Sequence, residues 1–490
     1  LPVENRSYFY PSASLSLMLD KIFDTGKNVD LLKIRGGWAQ VGNDTSPYNL
    51  LATYGNSGQW GNATRLSKSG GLLAPDLKPE LITSYEFGTD IRLFSNRLRF
   101  EGTYYRKNNE NQIFSVPLAA STGFSSIFIN AGLIQSKGVE FLLGVTPVKT
   151  TDWQWDVNIN FTKNKTTVLE LAEGIDFIEA WDQGQVKSIA YAKNKAEGHD
   201  GLVGDLYSRK IKRVTDKNSD YYGYPLLAGN ETNATWQHEE EYTKVGNYNP
   251  DFIMGMQTSL SWKNFTLSMT FDWRSGGQYV SQTWRYLSED KENGAWLDRL
   301  GNPGELGGKA SSELRNWIVA NADKLLFMDR PVPVGGPTPE YGGFPESYSG
   351  TTVYDGFFAP GVIENIDKNG NFLGYKENLG GEGTNFLPSA LNYPWDIGES
   401  NLFDADYIKL REVSLSYQLP NRIAQRWGMT DINFSVYSRN IILWTKASAL
   451  GVDPERAFQA ESGGKFNQGV ERYNVEPWAV PIGFKLSFSF

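Results

Sequence analysis

Residues able to do acid–base, nucleophilic or metal chemistry are few in this chain and poorly spaced. Its 490 residues include two His and no Cys. His199 and His238 are too far apart for a His-x-x-x-His zinc pair. Without Cys, neither a disulfide nor a thiolate metal site can form. No Gly-x-Ser-x-Gly elbow is present, and the two His, both in one loop, supply no triad base at a plausible spacing. Gly304 to Ser311 resembles a phosphate loop, but Pro303 and Ala310 stand where that motif needs Gly and Ser or Thr. Asp367 to Asn371 suggests a calcium loop, yet Gly370 falls at the fourth position and Asn378 at the twelfth. An Asn-Gly turn between Val362–Ile366 and Phe372–Tyr375 predicts a hairpin there instead. Glu239, Glu240 and Glu241 beside His238 read as a solvated acidic loop. Asp404 and Asp406 share a strand face and are placed at the top of a lumen rather than in a glycosidase pair.

Aromatic residues carry the remaining chemistry. They make up 14% of the chain, with 15 Trp and 25 Tyr. Many fall in the long segment from Gly276 to Asn401, among them Trp284, Tyr286, Trp296, Tyr341, Tyr393 and Trp395. Such rings beside Asp, Asn and Arg can stack on sugars. They can equally pack a large loop or meet a partner protein. These six are the candidate ligand or partner contacts, and no cofactor or metal site is expected.

The elements that must position these loops are strands. Val480, Ile482, Phe484, Leu486, Phe488 and Phe490 alternate without exception with Pro481, Gly483, Lys485, Ser487 and Ser489. The same period of 2 recurs at Trp153 to Thr162 and Phe265 to Trp273, and again over 412–419 and 85–93. A sandwich strand or a membrane strand of about 9–11 residues would both look like this. The joins discriminate. Eleven strands are expected, at 8–19, 31–41, 83–95, 97–107, 136–147, 153–163, 252–262, 265–275, 404–419, 431–444 and 480–490. Short joins at 20–30, 95–97, 148–152, 263–264 and 420–430 alternate with long ones at 42–82, 108–135, 164–251, 276–403 and 445–479. Short turns at one end and long loops at the other predict an all-β fold, a transmembrane antiparallel β-barrel with long extracellular loops.

By parity, the last strand descends to the short-turn side, and so does the first. A bacterial barrel starts with an ascending strand and has an even count. The chain is therefore expected to be the C-terminal part of a larger barrel. Leu1 to Tyr10 has no Met, basic region or apolar run of a signal peptide.

Four stretches carry a family resemblance: NLFDADYIKLREVSLSYQLP at 401–420, FYPSASLSLML at 9–19 followed by LKIRGGWAQVGN at 32–43, SKGVEFLLGVT at 136–146, and VGNYNPDF at 245–252. In order and spacing the chain resembles the SusC-like family of TonB-dependent outer-membrane transporters of the Bacteroidetes. That resemblance implies about 22 strands in the whole protein, roughly the last 11 here, with plug, N-terminal extension and first strands outside residues 1–490. It implies active import of a nutrient, with oligosaccharide favoured by the aromatic loops and peptide as the other option. It also implies TonB acting through the N-terminal region, a SusD-like surface lipoprotein, and no enzyme chemistry.

Net charge of −9 argues against nucleic acid. No apolar run reaches 18 residues, so no transmembrane helix is expected. A mean hydropathy of −0.43 is compatible with a barrel, because only alternate strand residues meet lipid. An outer-membrane adhesion or assembly barrel without transport stands as the alternative from the residues alone.

Overall fold

A computed structural model describes residues 9–44, 54–68, 71–72, 77–117, 120–124, 126–130, 132–230, 233–289, 361–377, 398–447, 452–458, 468–473 and 478–490. Its frame is one eleven-stranded sheet in which every strand pairs antiparallel with its sequence neighbour in the frame. We number these strands β1 (Ser12–Met18), β2 (Val29–Asn43), β3 (Glu80–Leu93), β4 (Leu98–Glu110), β5 (Leu133–Lys149), β6 (Trp153–Glu170), β7 (Phe252–Trp262), β8 (Phe265–Ser275), β9 (Tyr407–Gln418), β10 (Asp431–Thr445) and β11 (Ile482–Ser489). Strands within the loops are given by residue range.

All eleven expected strands are present in the expected order. Their bounds shift where local packing intervenes. The first is shorter, because Leu19–Ile22 turns into one helical turn. The fifth and sixth are longer at the long-loop end. The expected 404–419 strand divides: Leu402–Asp404 joins a loop sheet, and β9 starts at Tyr407.

Register gives the sheet two distinct faces. One row crosses nine strands through Leu32, Ile91, Phe100, Leu143, Ile159, Met256, Phe271, Leu410 and Ile441. The adjacent row reads Lys33, Asp90, Glu101, Leu142, Asn160, Gly255, Asp272, Lys409 and Ile442. A step of one residue thus moves from a wholly apolar row to one carrying most of its charge inward. Side chains of a pleated strand alternate faces, so one register choice sets the whole surface. On the apolar face Leu15, Phe87, Leu415 and Phe484 remain exposed to the surroundings. A surface like this suits lipid, which accepts apolar side chains but no unpaired backbone.

At the short-turn end the sheet carries an aromatic band. Trp153 stacks on Trp262 at 5.7 Å, Trp262 on Phe265 at 6.2 Å, and Phe265 meets Tyr417 at 4.6 Å. Such girdles mark the level where hydrocarbon gives way to headgroups. The turns there are tight. Lys263 adopts a left-handed φ of 51° to close the β7–β8 hairpin.

The faces determine the effect of a buried charge. Phe271→Arg points a guanidinium into mid-membrane and is expected to destabilise the folded barrel by about 2–4 kcal/mol. Thr270→Arg points inward beside Glu412 and is expected to leave insertion intact. Urea unfolding from liposomes reads both. Equal losses would remove the assignment of faces.

Candidate functional site: the cap and its cleft

The long-loop end is covered by a cap built from three loops together. The β6–β7 loop forms a four-stranded sheet from Phe177–Asp182, Val186–Tyr191, Asp205–Ser208 and Thr243–Asn247. The β8–β9 loop supplies Gln278–Ser281, which pairs antiparallel with Leu402–Asp404 and parallel with Val470–Glu471 of the β10–β11 loop. Buried side chains knit the three loops into shared cores. Trp181, Val186, Leu206 and Tyr248 pack with Val280 and Val470. Tyr279, Ala405, Ala447 and Ala457 form a second cluster.

A helix at Gln282–Glu289 starts against Glu471. This carboxylate is 1% exposed and accepts bonds from the Ser281 hydroxyl at 2.7 Å, the Thr283 hydroxyl at 2.6 Å and the Thr283 N–H at 3.2 Å. An anion at a helix N-terminus satisfies free N–H groups and opposes the helix dipole. Burial nevertheless raises the Glu471 pKa, and these hydrogen bonds only partly offset that.

The last loop is tied to the inner wall by charge. Lys409, with its side chain wholly buried, donates to Asp453 at 2.5 Å and to Glu455 at 2.7 Å. Arg411 donates to both oxygens of Glu455, at 2.5 and 2.7 Å, and also bonds Asp272 of β8. A bulge explains the reach of Arg411: Thr270 pairs with Glu412 and Phe271 with Leu410, which leaves Arg411 unpaired on β8. The extra residue re-aims its side chain. Burial acts to raise the Glu455 carboxyl, but hydrogen bonds and charges from Arg411 and Lys409 outweigh it and hold the pKa down to about 2.

Beneath the cap lies a cleft of about 620 Å³. It opens where β6 outruns its neighbour: pairing with β7 stops at Thr162, and Thr166 next meets the N–H of Val203. Lys163 and Lys165 from β6, Asn249 and Asp251, Arg274 of β8, and Phe458 of the last loop line it. Arg274 is 5% exposed; its Nη2 donates to the Tyr248 carbonyl at 2.7 Å, and its guanidinium lies 3.6 Å from the centre of the Phe458 ring.

Of the six candidate contacts, Trp296, Tyr341, Tyr393 and Trp395 lie outside the described residues. Trp284 is 1% exposed and packs edge-on to Phe403 at 5.2 Å, a core position. Tyr286 sits 4.4 Å from Tyr473, again across two loops. The hairpin expected around Asp367 forms, at Val362–Ile366 and Phe372–Glu377. Asp367 caps its turn by accepting from Asn369 and Asn371. Asp404 and Asp406 share Lys446, at 3.6 and 3.2 Å. Sequence reading missed Lys409, Arg411, Arg274 and Glu455. A signal existed for Arg411: alternation runs through Ile408 and Leu410, then resumes out of phase at Val413.

The latch makes a pH prediction. A carboxylate with a lowered folded pKa stabilises the fold above its unfolded pKa and loses that contribution as pH falls through the folded value. For Glu455 the window runs from its ordinary 4.5 down to about 2. Protease resistance of the 452–458 segment is expected to be flat from pH 8 to 5 and to fall below about 4.5. Lys409→Met, which leaves Asp453 buried without its cation, is expected to cost about 3–5 kcal/mol and to expose the segment at neutral pH. An unchanged cleavage pattern in Lys409→Met would remove the latch.

Comparison with known proteins follows this architecture. Residues 2–181 match the family model "TonB dependent receptor-like, beta-barrel". TonB-dependent receptor P3 of Formosa agariphila is 22% identical over 95% of this chain and 40% of its own length. TonB-dependent receptor SusC of Bacteroides thetaiotaomicron is 25% identical over 54% of this chain and 27% of its own. The solved RagAB peptide importer in its closed-closed state overlays the whole chain and 44% of its own, with a TM-score of 0.64 at 19% identity, a likeness of fold. The chain thus spans at most about 40% of the curated relatives it matches. The eleven-stranded sheet and these matches together show the fold of an outer-membrane β-barrel, with residues 2–181 matching that of TonB-dependent receptors, the proteins to which the chain is similar.

Proposed function

We propose that the whole protein imports a nutrient, an oligosaccharide or peptide, across the outer membrane, driven through TonB and assisted by a SusD-like surface lipoprotein. The observation that carries this reading is the asymmetry of the sheet. One end has tight turns and an aromatic band. The other holds a cap in which three loops share hydrophobic cores. A passive adhesin needs no polar inner wall beneath such a cap, whereas an import route does. The names of the relatives agree with it.

On this reading residues 1–490 are the C-terminal part of a barrel of about 22 strands that encloses a plug. The support is physical: β1 and β11 have one unpaired edge each in the described sheet, and an open edge cannot sit in hydrocarbon. Further strands of the same protein close it. TonB acts through segments outside this chain, and the lipoprotein sits on the cap.

Because the chain has no Cys, single cysteines report topology. Asn218→Cys in the cap is expected to react with a membrane-impermeant maleimide on intact cells, and Asn96→Cys in a short turn is not. Co-expression of the lipoprotein is expected to slow labelling at the cap. Shortening 290–360 is expected to abolish uptake of the nutrient while leaving barrel insertion normal. Full uptake in a strain without the lipoprotein, or without TonB, would overturn the corresponding part of the proposal.

A further inference from the structure

The lipid-facing side of the sheet changes character near its long-loop end. On β6 that side carries Trp153, Trp155, Val157, Ile159 and Phe161, and then Lys163 and Lys165. Phe161 stacks on Phe141 of β5 at 4.8 Å, and Lys137 lies on the same side of β5 as Phe141. On β4 the same side passes from Tyr104 to Arg106. Register sets three of these cations in a row: Arg106 is opposite Lys137, and Lys137 is opposite Lys165. Lys163 stands next to that row, opposite Val139. All four cations are exposed.

Their level follows from the length of β6. Trp153 belongs to the aromatic band at the short-turn end, and Lys163 is ten residues further on. At about 3.3 Å per residue and a tilt of about 40°, that separation is about 25 Å along the membrane normal, the height of the apolar band of a membrane barrel. Lys163 therefore stands at the opposite headgroup level, on the side of the long loops. Tyr85 and Tyr104, exposed opposite Arg106 and Val139, are interfacial aromatics of the kind found there.

Like charges directly opposite one another on paired strands destabilise the pairing. The inner wall avoids this: Lys33 meets Asp90 at 3.0 Å, and Lys409 and Arg411 share Glu455. Among the described residues no carboxylate lies within ion-pair distance of Arg106, Lys137, Lys163 or Lys165. Arg106 Nε donates to the neutral amide oxygen of Asn108 at 3.5 Å. Asp251 borders the adjoining cleft with Lys163 and Lys165 but pairs with neither. Glu110, the next acid on this side of β4, is four residues beyond Arg106. A compensating anion must then come from outside the chain, and at a headgroup level the anions are those of lipids. Phosphate oxygens accept bonds from several Lys and Arg side chains at once, and basic clusters at a membrane surface attract anionic headgroups.

We propose that Arg106, Lys137, Lys163 and Lys165 hold the phosphate of an outer-leaflet lipid, a phosphorylated glycolipid whose acyl chains lie along Val139, Phe141 and Phe161. The outer leaflet of a bacterial outer membrane is built of that class, and the long loops put the cluster on that side. The site is separate from the import route and rests only on the seat of the barrel in the outer membrane.

The test uses the full-length protein in detergent, with bound lipid counted by native mass spectrometry. The probes are monophosphoryl lipid A, the same lipid with its phosphate removed, and phosphatidylglycerol. Monophosphoryl lipid A is expected to bind roughly 10-fold or more tightly than its dephosphorylated twin, the effect of one charge-assisted bond, and to lose that advantage as salt is raised. The advantage is expected to vanish when Lys137→Gln and Lys165→Gln are combined, and to persist in Lys107→Gln on the inner side of β4. Without lipid the double variant is expected to melt no lower than wild type, because it relieves repulsion in the row. Where it does not insert, Lys163→Gln carries the comparison. Equal affinity for the lipid with and without phosphate, or an undiminished preference in the double variant, overturns the proposal. Phosphatidylglycerol bound as tightly as lipid A overturns the choice of glycolipid. Weakened capture of the purified surface lipoprotein by a double variant that keeps its lipid preference assigns the cations to a protein interface and likewise overturns it.

Discussion

Satisfaction of backbone hydrogen bonds in hydrocarbon is the constraint on which this molecule depends. A strand in lipid has no water to bond, so each N–H and C=O must find another strand. That demand produces a continuous ladder in which every strand pairs with its neighbour, from β1 to β11. Once the ladder exists, pleating does the rest. Alternate residues face lipid, and the residues between them face inward. Leu32 to Ile441 on one row and Lys33 to Ile442 on the next differ by a single step of register. A slip of one residue would expose a row of charges to lipid, which is why the register is strongly specified.

Where the constraint ends, a different one takes over. Above the membrane the loops meet water and must bury their own apolar side chains. No single loop here has enough. Val280 from one loop, Val470 from another and Leu206 from a third are needed to make one core. Parallel pairing of Val280 and Ser281 with Val470 and Glu471 stitches two of those loops. The cap therefore behaves as a shared domain, and displacement of any one loop disturbs the packing of the others.

Charge fastens the cap to the wall. Lys409 and Arg411 come from β9, Asp272 from β8, and Asp453 and Glu455 from the last loop. Removal of charged groups from water is expensive, and it is tolerated here because each is met by an opposite charge at hydrogen-bond distance. Arg274, a short way off, lies near Asp272 and Asp406 and donates instead to the Tyr248 carbonyl.

The sequence by itself determined the eleven strands, their order, the alternation of short and long joins, and the faces of the five strands whose alternation is plainest. All of these follow from period 2, which is local and survives without knowledge of partners. The Asp367 hairpin was legible for the same reason, since a turn is encoded in a few adjacent residues. What only the tertiary structure decided was everything built from residues distant along the chain. Trp284 reads in sequence as a ring available for stacking, and its burial against Phe403 depends on a strand more than a hundred residues away. Glu455 reads as one more loop acid, and its role exists only because a bulge turns Arg411 toward it. The cleft arises from a mismatch in length between β6 and β7. No local pattern announces such a gap, because it belongs to the pairing of two strands and to neither strand alone.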